Sequence, residues 1–223
     1  MKEHGAYTPD DARTYDRDRE VEPLWHAENA YVADLVKQLG ASTVLDVPVG
    51  TGRFLPFYAG AQVTGVDLSD AMLSIATARV AADGLRHITL QQGSVTDLPF
   101  ADRAFQLVVC WRLLHLLPPL VLRAALAEMA RVCNGTLCVQ VYERAPQLER
   151  TTAWAKRWMR RFGLPFAGKS QLTPWSHITA YAHSRADIEA AAAASGLGSP
   201  LRRDDLGGYE GTRVVAITWA RGR

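Results

Sequence analysis

Short apolar, β-branched runs alternate along this chain with longer stretches in which apolar positions recur every three or four residues, the signatures of buried strands and amphipathic helices. The runs predict strands over residues 43–47, 62–66, 87–91, 105–110 and 136–142, with a last one from Arg213 to Trp219. The periodic stretches predict helices over 23–39, 53–59, 70–83, 119–132 and 185–195. Pro118-Pro119 suits a helix start, where a missing backbone N–H costs nothing, and Ser184 with Asp187 three residues on makes a box-like N-terminus for the final helix. Strands that alternate with helices build a largely parallel sheet covered on both faces.

The first predicted strand breaks into the most informative turn. Thr43-Val44-Leu45-Asp46-Val47-Pro48-Val49-Gly50-Thr51-Gly52-Arg53-Phe54 reads as strand, tight turn and helix, and Val63 to Asp67 as a second strand ending on an acid. That is the order of a nucleotide-binding unit. Gly50 and Gly52 present no Cβ to hold a ligand off the backbone, and Asp67 stands where a carboxylate can accept from both ribose hydroxyls. The plainer role for Asp67 is a helix cap, which Ser69 or Asp70 would fill as well. A dinucleotide fingerprint needs three glycines so that a pyrophosphate can rest on the helix N-terminus. Here Pro48 replaces the first, Leu55 stands at the third, and Asp46 closes the strand, where it repels a pyrophosphate and suits a cation.

These residues resemble the first motif of the class I S-adenosylmethionine-dependent methyltransferases, an acid followed by variable residues and Gly-Thr-Gly. Asp67-Leu68-Ser69 with Met72-Leu73 is similar to the second motif, Gly93 to Phe100 to the third, and Phe105 to His115 to the fourth strand and the loop beyond it. The resemblance covers roughly residues 30 to 142, with four motifs in the family's order. It implies a Rossmann-like, doubly wound, seven-stranded α/β sheet, mostly parallel, with an antiparallel C-terminal edge hairpin. It also implies S-adenosyl-L-methionine as cofactor. Asp46, Gly50, Gly52 and Arg53 would surround its amino-acid end, Asp67 the ribose, Leu68 and Met72 the adenine face, and Ser94, Val95 and Asp97 the adenine edge, with Cys110 closing the fourth strand. Met72 serves equally well as core. Two positions depart from the pattern: Pro48 gives a variant turn that pushes Val47 toward extended backbone, and Ser94 replaces a common aspartate, whose contact passes to Asp97 or to backbone groups.

Candidate chemistry lies beyond the fourth strand, where open parallel sheets place ligands. Arg112, in a leucine-rich stretch, is expected to point into the cleft toward a carboxylate of cofactor or acceptor. His115 is either a structural histidine or, kept neutral by burial, a base or an acceptor-orienting group. Two segments fall outside the alternation. The polar N-terminal arm, residues 1–22, contributes Tyr15 as a third candidate. The insertion at about 143–183 concentrates rings, Trp154, Trp158, Trp175 and Tyr181 among them, in a chain that is 9% aromatic overall. It is expected to cover an acceptor pocket above Arg112, His115 and Tyr142.

Composition narrows the function. At 223 residues and a formal charge of +2, the chain fits a single domain over 1–223 with no mandate for nucleic acid or membrane binding. Cys110, Cys133 and Cys138 show no metal-type spacing and cannot all pair, which favours a reduced cytoplasmic setting without a metal. The Asn/Asp-Pro-Pro-aromatic run of family members that methylate base amino groups is absent, and Cys110-Trp111-Arg112-Leu113 stands there instead. The expected activity is in-line transfer of a methyl group to an oxygen, nitrogen, sulfur or selenium nucleophile on a small molecule. RNA or protein methylation, nicotinamide-dependent oxidoreduction and non-catalytic cofactor binding are the alternatives.

Overall fold

The computed structural model describes residues 8–144, 180–209 and 212–221. In chain order the elements are α1 (Pro9–Glu20), α2 (Pro23–Leu39), β1 (Thr43–Asp46), β2 (Gln62–Asp67), α3 (Asp70–Ala82), β3 (Ile88–Gln92), β4 (Phe105–Cys110), α4 (Pro119–Val132), β5 (Cys133–Arg144), α5 (Arg185–Ala194), β6 (Arg202–Tyr209) and β7 (Thr212–Ala220). The strands form one sheet in the order β3-β2-β1-β4-β5-β7-β6. β1 to β5 run parallel, and β7 lies antiparallel between β5 and β6. This is a doubly wound α/β sheet with an antiparallel C-terminal hairpin.

Each face of the sheet carries its own core. On one, α4 and α5 bury Leu122, Leu126, Met129 and Ile188 against Leu45, Val108 and Val139. On the other, α2 buries Val32, Leu35 and Val36 beside Leu55 and Tyr58, with Leu73 and Val80 of α3 packed alongside. Because side chains alternate along a strand, β1 and β4 supply both cores and read as continuous apolar runs. The order reverses between β1 and β4, which opens a crevice at their carboxyl ends. Among the described residues, no helix is long and apolar enough to cross a membrane.

Several predicted elements coincide with the structure, and two differ. The expected helix over 53–59 is a single 3-10 turn, Leu55–Tyr58. Pro56 withholds an N–H inside the turn, and Gly60 at φ +89 ends it, so no α-helical ladder develops. The N-terminal arm contains a helix, α1, opened by a capping box of Thr8 and Asp11 with Pro9 at its first position. The apolar runs place six strands, and the seventh that the resemblance implies is Arg202–Tyr209. That stretch is charged and glycine-containing because it is the sheet edge, where charge discourages further pairing. The capping box of Ser184 and Asp187 is present on α5 as expected.

Candidate functional site

The crevice is floored by the loop after β1. Gly50 and Gly52 adopt φ of +56 and +78, conformations that glycine enters without strain. Their roles separate on packing. A Cβ at Gly50 would point into open space, whereas one at Gly52 would sit 2.8 Å from Leu55 Cδ1 and 3.3 Å from Ala76 Cβ. Gly52 is therefore glycine so that the loop can pack on α3, and Gly50 is the position that leaves the crevice clear. The space beside the backbone is open at Gly50 and filled by Leu55 and Ala76 at Gly52.

Two acids stand over this floor. Asp67 ends β2 and accepts from Gly50 N at 2.8 Å through Oδ2 and from Ser69 N at 2.8 Å through Oδ1. Burial pushes its carboxyl up, and those backbone N–H groups pull it back. The helix cap itself is Ser69, whose hydroxyl accepts from Met72 N, so Asp67 is not spent on that task. Asp46 ends β1 and is 1% exposed. Its Oδ2 accepts from Tyr58 Oη at 3.1 Å, while Oδ1 is buried with no partner among the described residues. Burial pushes the Asp46 carboxyl up to about 7, against the pull of Tyr58 and Arg53.

The next loops carry the expected adenine-side residues. Leu68 is exposed beside Asp67, and its carbonyl accepts from Gln92 Nε2 at 3.2 Å. Met72 is buried in the first turn of α3. After β3, Ser94 and Asp97 pair across a tight turn in which Ser94 Oγ lies 2.8 Å from Thr96 Oγ1. Val95 is buried there, and Asp97 is exposed. Cys110 lies inside the core at the end of β4, its thiol pushed up by burial and next by Asp46.

Arg112 and Arg53 meet a partner that the sequence reading did not single out. Glu28, fully buried on α2, takes Arg112 Nε at 2.8 Å and Arg53 Nη2 at 2.8 Å on Oε2, and Gln140 Nε2 donates to its Oε1. Arg112 also reaches Glu22 through Nη2 at 3.4 Å, and Arg19 pairs with the same carboxylate. The Arg53 guanidinium lies 3.9 Å from the Trp25 ring centre, a cation–π geometry. The carboxylates that Arg112 contacts among the described residues are the protein's own, Glu28 and Glu22. Arg112 has φ 54, uncommon for a residue with a side chain, and its N–H donates to Gln140 Oε1 at 3.0 Å. One signal for Glu28 existed: it shares the helical face of Leu24, Val32 and Leu35, so a charge sits in an apolar stripe.

His115 is 2% exposed and stacks on Tyr142 with centroids 4.1 Å apart and an interplanar angle of 8°. Burial, then the charges of Arg112, Arg19 and His183, hold it well below the usual histidine range, so it is neutral. Above it the chain returns at residues 180–184. Tyr181 N donates to His115 O at 2.6 Å, His183 N to Tyr142 O at 3.0 Å, and His183 Nε2 lies 2.9 Å from Leu114 O. Of the expected cover, residues 145–179, with Trp154, Trp158 and Trp175, lie outside the described residues. Tyr15 is half-buried on α1, with the Arg19 guanidinium 5.7 Å from its ring centre. Its neighbour Asp16 accepts from Thr51 Oγ1 at 2.6 Å and pairs with Arg79 of α3 at 2.5 Å, which lays α1 across the glycine loop.

Residues 44–135 match the model of a methyltransferase domain family. The demethylmenaquinone methyltransferase of Porphyromonas gingivalis is 38% identical over 118 residues, 49% of this chain and 46% of that protein. In solved structures the fold recurs in the magnesium protoporphyrin IX methyltransferase of Synechocystis with bound S-adenosylhomocysteine, at TM-score 0.67 and 18% identity over 94% of this chain and 95% of that one. It recurs also in the geranyl diphosphate C-methyltransferase of Streptomyces coelicolor, at TM-score 0.66 and 17% identity over 93% and 86%. Over residues 44–135 the chain is similar to this methyltransferase domain family, and its fold is the one these methyltransferase structures share. It spans about half the length of the curated relatives it matches.

Proposed function

We propose that the protein binds S-adenosyl-L-methionine and transfers its methyl group to a small molecule. The observation that carries this reading is the donor and acceptor set around Gly50. A zwitterionic amino-acid end needs a carboxylate for its ammonium and a cation for its carboxylate. The unpartnered, buried Oδ1 of Asp46 and Nη1 of Arg53 offer both, beside the open space over Gly50. The two groups lie within electrostatic reach of each other. Asp67 would hold the ribose, Leu68 and Met72 the adenine face, and Ser94, Val95 and Asp97 its edge, with Gly52 and Cys110 shaping the floor. A second carboxylate at Asp46 opposes a pyrophosphate and so a nicotinamide dinucleotide.

Bound there, the cofactor supplies a methyl carbon made electrophilic by its sulfonium. The chain then has little covalent chemistry to perform: it must align a nucleophile, exclude water and take up a proton where the nucleophile carries one. Neutral His115, with Nδ1 buried and without a partner among the described residues, can accept that proton or orient the acceptor. Arg112 and Tyr15 would flank the same space, in one domain spanning 1–223. The relatives are named for methylation of three different small molecules, and the charge of +2 offers no basis for polyanion binding.

Calorimetry with S-adenosylhomocysteine on Asp67→Ala tests the reading. Loss of a carboxylate that accepts from hydroxyls removes about 1.5–3 kcal/mol per charged hydrogen bond, so affinity should fall at least about tenfold. Unchanged affinity in a folded variant removes Asp67 from the site, and tight binding of a nicotinamide dinucleotide instead overturns the assignment.

A further inference from the structure

Three guanidiniums, Arg19, Arg53 and Arg112, converge on two carboxylates, Glu22 and Glu28. Glu28 is saturated: its two oxygens accept from Gln140, Arg53 and Arg112. Arg112 still keeps Nη1 buried and without a partner among the described residues, its Nε and Nη2 being engaged by Glu28 and Glu22. Three residues on, His115 keeps Nδ1 in the same condition. A buried polar group left without a partner is destabilising, the more so when it is charged, so two such groups on one turn are costly unless a ligand completes them. The turn itself is held in an uncommon conformation, with Arg112 at φ 54 fixed by Gln140, and such strain persists where the surrounding structure enforces it.

The sign of the missing partner follows from the surroundings. Arg112, Arg19 and His183 all act on His115 in the direction that disfavours a further positive charge. A cationic acceptor would be repelled there, and a neutral one would leave the guanidinium edge unpaired. An oxyanion accepts from the Nη1 of Arg112 and, in the tautomer that carries its proton on Nδ1, from His115 as well. We propose that the methyl acceptor is an anion, a small molecule whose carboxylate or phosphate seats against Arg112 and His115. This rests on the methyl-transfer reading, in which Arg53, next to Asp46, serves the carboxylate of the cofactor.

The test uses the full chain with ring-labelled histidine, its His115 resonance assigned with His115→Gln. The protein is titrated with benzoate, inorganic phosphate and benzamide, each with and without saturating S-adenosylhomocysteine. Benzoate or phosphate should shift His115 at concentrations about tenfold or more below benzamide, the preference that a charged hydrogen bond confers. That preference should survive saturation with S-adenosylhomocysteine and vanish in Arg112→Gln. Equal responses to benzoate and benzamide overturn the proposal. So does a benzoate response that S-adenosylhomocysteine abolishes, because the donors then belong to the cofactor's carboxylate. The wild-type comparison decides even where Arg112→Gln fails to fold. If S-adenosylhomocysteine itself does not bind, methyl transfer is the reading that fails, and the titrations without it still decide the anion site.

Discussion

The two sides of the crevice are built by different means. On the β1–β2 side the site is made of short-range pieces: Gly50, Asp67 and Ser69 hold one another through backbone N–H groups within a span of twenty residues. On the β4–β5 side it is made of buried side-chain charges brought from far apart, with Glu28 joined to Arg112 across 84 positions and to Gln140 across 112. The first construction places a ligand by strand ends and loop shape. The second places it by an ion network, which demands that every member be present. A shared fold can keep the first construction and vary the second.

Removing the hub of the network should therefore have the largest effect. Glu28→Ala leaves the Arg53 guanidinium with no carboxylate among its described contacts and Arg112 with Glu22 alone. Breaking a buried pair from one side costs about 3–5 kcal/mol. For a chain of this size that lowers Tm by about 6–20 °C. Asp67→Ala removes no such burden and should melt closer to the native protein. Calorimetric melting of both variants decides it: if Asp67→Ala melts as low as Glu28→Ala, the contrast between the two sides is wrong.

A smaller effect, visible in binding, separates the two acids over the loop. Buried Asp46 has its carboxyl pushed up to about 7, while an unfolded aspartate titrates near about 3.9. A raised folded value means that the protonated form is favoured in the fold. The group's ionisation therefore costs nothing below about pH 4, and the cost grows as pH rises toward 7 and is constant above it. An ammonium ligand needs the ionised form. Affinity for S-adenosylhomocysteine should fall by up to about tenfold per pH unit below 7 and level off above. Asp46→Asn should bind more weakly and lose that slope. Calorimetry across pH 5 to 8 is the check, and a slope that persists in the variant assigns the proton to another group, Asp67 being the nearest candidate.

The same contrast explains what could be read in the sequence. Asp46, Gly50 and Asp67 are legible because strand ends, turn glycines and their spacing are local properties. The helices α3 and α4 follow from apolar periodicity, and α5 from its capping box. Glu28 was not legible as the hub of an ion network, because Arg112 and Gln140 arrive beside it from the loop after β4 and from β5. The 3-10 turn at Leu55–Tyr58 escaped because a helix was expected after the glycines, whereas Pro56 and Gly60 leave room for a single turn. The α1 helix was hidden by polarity alone. Its Thr8-Pro9-Asp10-Asp11 start carries the chemistry of a helix N-terminus, but no apolar stripe follows it.

That helix yields the smallest expected effect and the finest test of how the two sides are joined. Asp16 links α1 to the glycine loop through Thr51 and to α3 through Arg79, a pair about 29% and 28% exposed. A part-exposed pair contributes about 0.2–1 kcal/mol after solvent screening, and the Thr51 hydrogen bond about 0.5–1.5 kcal/mol. Asp16→Ala should then lower Tm by about 1–10 °C. The local consequence should exceed the global one, because α1 is polar and owes little of its attachment to apolar burial. Hydrogen exchange should quicken across Pro9–Glu20 while α3 and the sheet keep their protection, and added salt should reproduce part of the change in the native protein. If α1 exchanges at the native rate in Asp16→Ala, the helix is held from the network side, through Arg19 and Glu22, and the glycine loop carries no share of closing the crevice.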